Sequence, residues 1–123
     1  MTHLLYLVRT AIEPEKEEAF NEWYNTKHCV EMLQCDGILT AARYRLVDTA
    51  ARFPDFTYRR PHGADEPDRP YLAAYQFADG AAFDAWFRSE ERVRLREDHE
   101  ARFPQRIPPK GGTYEQLLDL RRG

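Results

Sequence analysis

Cysteine is nearly absent from this 123-residue chain; only Cys29 and Cys35 occur. Two are too few for a disulfide scaffold and too sparse for a zinc site, so they read as reduced thiols of a cytoplasmic protein. Long apolar runs are also missing. No stretch approaches the ~20 apolar residues of a membrane span, and the first residues lack a basic region followed by an apolar one. Membrane insertion is therefore not expected. There is no excess of positive charge: 18 Lys and Arg stand against 21 Asp and Glu, for a net charge of −3 with both signs interspersed. A nucleic-acid partner, which calls for a basic excess, is not expected either. No G-x-G-x-x-G, P-loop or G-x-S-x-G occurs, so nucleotide cofactors and serine-hydrolase chemistry have no support. His28 and Glu31 share the i, i+3 spacing of metal ligands, but one such pair recurs by chance, and neither a metal site nor another cofactor is expected.

What is present is a repeat. Ala19-Phe20-Asn21-Glu22-Trp23-Tyr24-Asn25-Thr26-Lys27-His28 has a near-copy in Ala82-Phe83-Asp84-Ala85-Trp86-Phe87-Arg88-Ser89-Glu90-Glu91. Ala, Phe and Trp recur in register, and Thr26 becomes Ser89. An apolar strand-like run precedes and follows each copy, so the chain reads as one βαβ unit written twice. The copies part at their ends, where His28 aligns with Glu91. Fold belongs to what the halves share, and function to where they differ.

The alternation of apolar residues predicts a strand over Leu4–Ala11, with Leu4, Tyr6 and Val8 on one face and Leu5, Leu7 and Arg9 on the other. Pro14 and the glutamates after it suit a helix N-terminus. That helix runs to about Asn25 and buries Phe20, Trp23 and Tyr24. A second short helical piece is expected over 30–33, with His28 at the joint. Asp36-Gly37 is a turn, and a second strand follows over 38–47. A third covers Tyr71–Phe77. Asp79 is a good cap for a helix that buries Phe83, Trp86 and Phe87, and a charged helix continues over 90–101. Residues 103–112 read as a proline- and glycine-rich loop, and 113–120 as the last strand.

Residues 48–70 interrupt this rhythm with four prolines, long for a loop without structure of its own. The aromatic half, 53–58, is expected to dock, and 63–69 to be mobile. The whole is expected to be a single domain, 1–123, large enough to bury roughly two-thirds of its surface. The order β-α-β-β-α-β with right-handed crossovers predicts an α+β fold, the ferredoxin-like sandwich: a four-stranded antiparallel sheet with two main helices on one face. The other face lacks a helical cover, while Tyr44, Tyr71, Tyr75 and half of the first strand must point somewhere. Exposing such groups invites association, so a homodimer with its sheets face to face is expected.

The run Trp23 to His28, followed by Asp36-Gly37 and by Ala42-Arg43-Tyr44, resembles the dimeric α/β-barrel superfamily, closest to its EthD-like and related branches. The second-half run Trp86 to Glu91 is also common there. The resemblance covers most of the chain apart from 48–70. It implies a pocket between helix and sheet, lined by the histidine that ends the first helix. Members include cofactor-independent monooxygenases, polyketide cyclases, lactone isomerases and larger haem enzymes. Fold alone does not choose among these.

His28 is the sharpest candidate for chemistry, because an imidazole titrates near neutrality and can give or take a proton. The plainer reading is a helix-end histidine packed on Trp23. Tyr44 is the candidate polariser of a substrate oxygen. Tyr6, Trp23, Asn25, Tyr75 and Trp86 are candidate substrate contacts, although the equivalent places of the two tryptophans also suit core packing. Arg43, Arg45, Arg59 and Arg60 could receive an acidic group, or be exposed and paired with carboxylates. The first functional expectation is a small-molecule enzyme that acts on a small cyclic or aromatic metabolite by metal-free acid/base chemistry, as an isomerase, cyclase or cofactor-independent monooxygenase. The alternative is a non-catalytic ligand-binding or assembly domain. An open pocket reaching His28 favours the first, and a collapsed one the second.

Overall fold

The structure is a computed structural model that describes residues 2–47, Phe53, Asp55 and 69–123. Strands β1 (Leu4–Ala11), β2 (Ile38–Arg45), β3 (Tyr71–Phe77) and β4 (Ile107–Glu115) form one sheet in the order β2-β3-β1-β4, antiparallel throughout. Helices α1 (Glu17–Trp23), α2 (Cys29–Leu33), α3 (Gly80–Phe87) and α4 (Glu90–Arg102) supply the second layer. The fold is the expected α+β, ferredoxin-like one. In the 48–70 insertion, Phe53 and Asp55 are exposed, and Pro70 accepts a hydrogen bond from the Leu46 amide at 2.7 Å. The expectations for the remainder of that segment, Arg59 and Arg60 included, lie outside the described residues.

The core is an aromatic layer between sheet and helices. Tyr71, Ala73, Tyr75 and Phe77 of β3 are all buried, and their neighbours on β1 along this face are Thr10, Val8, Tyr6 and Leu4. The repeat is realised as like packing in like elements. Phe20 and Trp23 of α1 and Trp86 of α3 are buried, and Phe83 packs on Phe77 at 5.1 Å between ring centroids. Each such side chain contributes roughly 1.5–3 kcal/mol by leaving water. The cap on Asp79 is formed, with its Oδ1 accepting from the Ala82 amide at 2.8 Å. Gly37 turns with φ +88°, and a side chain there would strike the Ala82 methyl at 2.8 Å, so the loop between α2 and β2 can lie against α3 only with glycine.

The two halves solve their helix ends differently at the aligned hydroxyl. Ser89 is extended (φ −79°, ψ 154°), breaks the helix, and caps α4 by accepting from the Arg92 amide at 3.1 Å. Thr26 instead donates back to the Glu22 carbonyl at 2.7 Å within a π-helical turn, Tyr24–His28, that joins α1 to α2 without a break. A π turn widens the helix by one residue per turn. It is this turn that buries both Tyr24 and His28.

Three expectations are corrected. The last strand is Ile107–Glu115 and not 113–120, while Leu117, Leu118 and Leu120 lie exposed beyond it. Prolines 108 and 109 fit because β4 is an edge strand of the described sheet and both fall where its pairing with β1 shifts register, between Arg9 and Ala11. Second, Tyr71 and Tyr75 do not lie on the uncovered face; they sit beneath the helices. Third, Phe87 is not buried by its helix but is 45% exposed. Tyr44 does lie on the uncovered face, 57% exposed. The cause is a bulge: Ile38 pairs with Phe77, but Thr40 pairs with Gln76, a one-residue slip that reverses the alternation along β2. Ile38 faces the helices, and after the slip so do Ala41 and Arg43, which sends Tyr44 the other way.

Candidate functional site

A cavity of about 380 Å³ opens between the sheet and the helices. Its floor is Tyr6 and Val8 of β1 and Tyr75 of β3, and its helical walls include Tyr24, His28, Trp86, Leu95 and His99. The π turn brings His28 to this wall. The Trp23 indole stacks on the imidazole at 5.0 Å between centroids with the planes 23° apart, and Tyr24 meets it edge-on at 4.8 Å. These contacts fix the ring without hydrogen-bonding it. Nδ1 of His28 is buried with no hydrogen-bond partner among the described residues.

His99, on α4, is the residue that reading the sequence passed over. Its ring lies 5.4 Å from that of His28, and its Nε2 is likewise buried without a partner among the described residues. The signal was its place four residues after Leu95, on the buried stripe of an otherwise charged helix. Burial pushes both imidazoles well below their usual range. For His28 it lowers the pKa to about 4, against an upward pull from Glu31 and Asp98; for His99 it lowers the pKa to about 3, with further help from the neighbouring His28 and Arg106. Both are neutral at pH 7, so His28 enters as a proton acceptor rather than the ambivalent group that the bare sequence suggested.

The phenols move the opposite way. Burial raises Tyr6, with Arg92 pulling down, and raises Tyr24 and Tyr75 further. All three therefore keep their protons and act as hydrogen-bond donors. The Tyr75 hydroxyl lies 3.7 Å from Cys29 Sγ. The Tyr6 hydroxyl has no hydrogen-bond partner among the described residues. Two neutral imidazoles and three protonated phenols thus share the lining of one cavity. That is an arrangement able to take a proton from a ligand while polarising its oxygen.

Of the residues expected at the site, His28, Tyr6, Tyr75 and Trp86 converge on this cavity. Trp23 stands behind His28 as its stacking support. Asn25 is exposed and accepts from Arg43 Nη1 at 2.9 Å, away from the lining. Tyr44 does not join them, because the β2 bulge places it across the sheet, in a groove of about 600 Å³ that also includes Leu7, Leu72 and Tyr114. The expected pairing of His28 with Tyr44 within one chain is therefore corrected. Arg43 is not an exposed, carboxylate-paired arginine. Its guanidinium lies 4.4 Å from the Tyr24 ring and 5.3 Å from that of Tyr71, under the helices. Glu31, the other half of the i, i+3 pair, is held by Lys27 at 3.0 Å and Arg94 at 3.2 Å.

The profile of the family described as a domain of unknown function, DUF4286, matches residues 3–109. No curated protein matches the chain significantly. Solved structures do. An EthD family protein from Bacillus halodurans is 17% identical, with 95% of this chain and 100% of that chain covered and a TM-score of 0.62. A DABB family protein with a ferredoxin-like fold from Mesorhizobium loti is 12% identical over 96% and 100% of the two chains, with a TM-score of 0.66. A variant of SnoaB, a cofactor-independent oxygenase from Streptomyces nogalater, is 12% identical over 98% of each chain, with a TM-score of 0.64. At these identities the likeness is one of fold. The chain belongs to the DUF4286 domain family and has the ferredoxin-like fold.

Proposed function

We propose that this protein is a small-molecule enzyme that acts on a small cyclic or aromatic metabolite by metal-free acid/base chemistry, with His28 as the proton acceptor. The observation that carries the reading is the open cavity of about 380 Å³ ending on a neutral imidazole and lined by protonated phenols. A collapsed space would have favoured a packing role. In the reaction that suits these groups, a C–H bond beside a carbonyl breaks and its proton passes to the imidazole. The electron pair becomes an enolate, whose oxygen accepts from the Tyr6 hydroxyl. Return of the proton to another carbon completes an isomerisation; attack of the enolate carbon on a second carbonyl, whose oxygen takes the C=O π pair and then the proton back from the imidazolium, gives a cyclisation. An imidazole near pKa 4 is a weak base in the empty site, but the anion formed beside it raises its proton affinity as the reaction proceeds. Tyr6 takes the polarising role first assigned to Tyr44. The fold likeness to a cofactor-independent oxygenase is consistent with cofactor-free oxygenation as a further reaction of such an anion.

The protein acts as a homodimer in this reading. Support comes from the sheet face opposite the helices, where Leu7, Leu72, Tyr44 and Tyr114 line one groove together with Arg9, Arg45 and Arg69. The experiment is a thermal-shift screen of cyclic and aromatic metabolites, followed by turnover of the hits. His28→Ala is expected to lose at least 100-fold in kcat while still binding the hit; full turnover in that variant removes the mechanism.

A further inference from the structure

Building on that reading, we propose that the cavity is made for an anionic ligand: a small ring compound whose carboxylate, or equally acidic enol, is held at the cavity mouth by Arg96 and Arg106. The chain as a whole is acidic, with a net charge of −3, yet the mouth is basic. Arg92, Arg96 and Arg106 line it together with a single carboxylate, Glu100. Two elements converge to place them. Arg92, Arg96 and Glu100 fall at successive turns of α4, beside the buried Leu95 and His99, while Arg106 comes from the turn that leads into β4.

The internal pairing of these charges is incomplete. Glu100 is shared between Arg106 Nη2 at 3.6 Å and Arg96 Nε at 3.9 Å, both beyond good hydrogen-bond length. Arg106 is the more buried of the two guanidiniums, and its Nε is buried with no hydrogen-bond partner among the described residues. Two guanidiniums that share one distant carboxylate are a receptive pair for a ligand oxyanion with its forked acceptors. Arg92 carries the field further in, where its charge reaches the Tyr6 hydroxyl. The space behind is apolar and aromatic, with Trp86 and Tyr6 to take a ring. An acid head at the arginines would then set a ring carbon toward His28 deeper in the cavity.

The test compares 1-naphthoate with its neutral isostere 1-naphthamide on the full chain, by calorimetric titration and by the NMR shift of the Trp86 indole. Naphthoate is expected to bind at least tenfold more tightly, and to lose most of that advantage in Arg96→Gln and in Arg106→Gln. Arg94→Gln, which removes a partner of Glu31 outside the lining, is expected to keep it. Thermal melts check that Arg106→Gln is folded, and Arg96→Gln, at a more exposed position, decides the matter if it is not. If the amide binds as tightly as the acid and both move Trp86, the anion assignment is overturned while the small-molecule reading stands. If the preference survives both substitutions, the arginines are not its source and the assignment falls. If neither compound moves Trp86, both readings fall together.

Discussion

The imidazoles of His28 and His99 lie 5.4 Å apart across the joint between the π turn and α4, their planes inclined by 69°, each with one ring nitrogen buried and unbonded among the described residues. Asp98 and Glu31 are drawn off by Lys27, which sits 2.8 Å from Asp98 and 3.0 Å from Glu31. Two imidazoles buried out of water are costly to protonate, which gives the site a pH signature.

Stability should fall on acidification. Both histidines have folded pKa values, about 4 and about 3, below the ordinary 6.5. The unfolded chain therefore binds more protons than the folded one between those values. The stabilisation is complete above pH 6.5 and is lost as pH falls toward 4 and 3. From pH 7 to pH 5 the loss should be about 2 kcal/mol per imidazole. Urea unfolding at the two pH values measures it. His99→Gln should remove about half of the slope; an unchanged slope would mean that other groups set it.

The repeat predicts unequal costs at equivalent places. Tyr24 is 2% exposed under the sheet, whereas its aligned partner Phe87 is 45% exposed beside Arg92, 4.1 Å from that guanidinium. Tyr24→Ala should cost about 3–5 kcal/mol in chemical denaturation, as for other large core aromatics. Phe87→Ala should cost under about 1 kcal/mol, as for a surface position. Equal losses would contradict the asymmetry of the two helix ends.

Tyr44 offers a separate test, of the dimer. Tyr44→Glu puts a charge on the sheet face opposite the helices, where Tyr44 is 57% exposed. Light scattering should show the variant shifted toward a single chain, while the melting temperature at low concentration changes little. A variant that keeps the wild-type mass at all concentrations would place any dimer contact elsewhere.

Much of the fold was legible because its signals are local. β1 and β3 were bounded by alternation, α3 by its Asp79 cap, and the duplicated Phe and Trp by their spacing. What was not legible depended on relations between elements. The slip between Ile38 and Thr40 is invisible to a period-2 reading, yet it alone decides which side of the sheet receives Tyr44. Prolines 108 and 109 argue against a strand until β4 is known to be an edge. His99 sits in a run of charges whose burial comes from Phe20 and Trp23, 5.9 and 5.4 Å away on a helix far off in sequence. At the site, the chain named His28 and three of its cavity partners, Tyr6, Tyr75 and Trp86. It could not show that burial would strip the imidazole of its charge.

The cavity beneath the helices, ending on His28, is proposed above as a small-molecule site. The direct measurement is an NMR screen of cyclic and aromatic metabolites that follows the His28 ring and the Trp86 indole together, repeated on Val8→Phe, in which the new ring fills the cavity floor. Compounds are expected that shift both signals saturably in the wild type and neither in Val8→Phe. Signals that no compound moves, or that respond equally in the filled variant, would contradict that proposal.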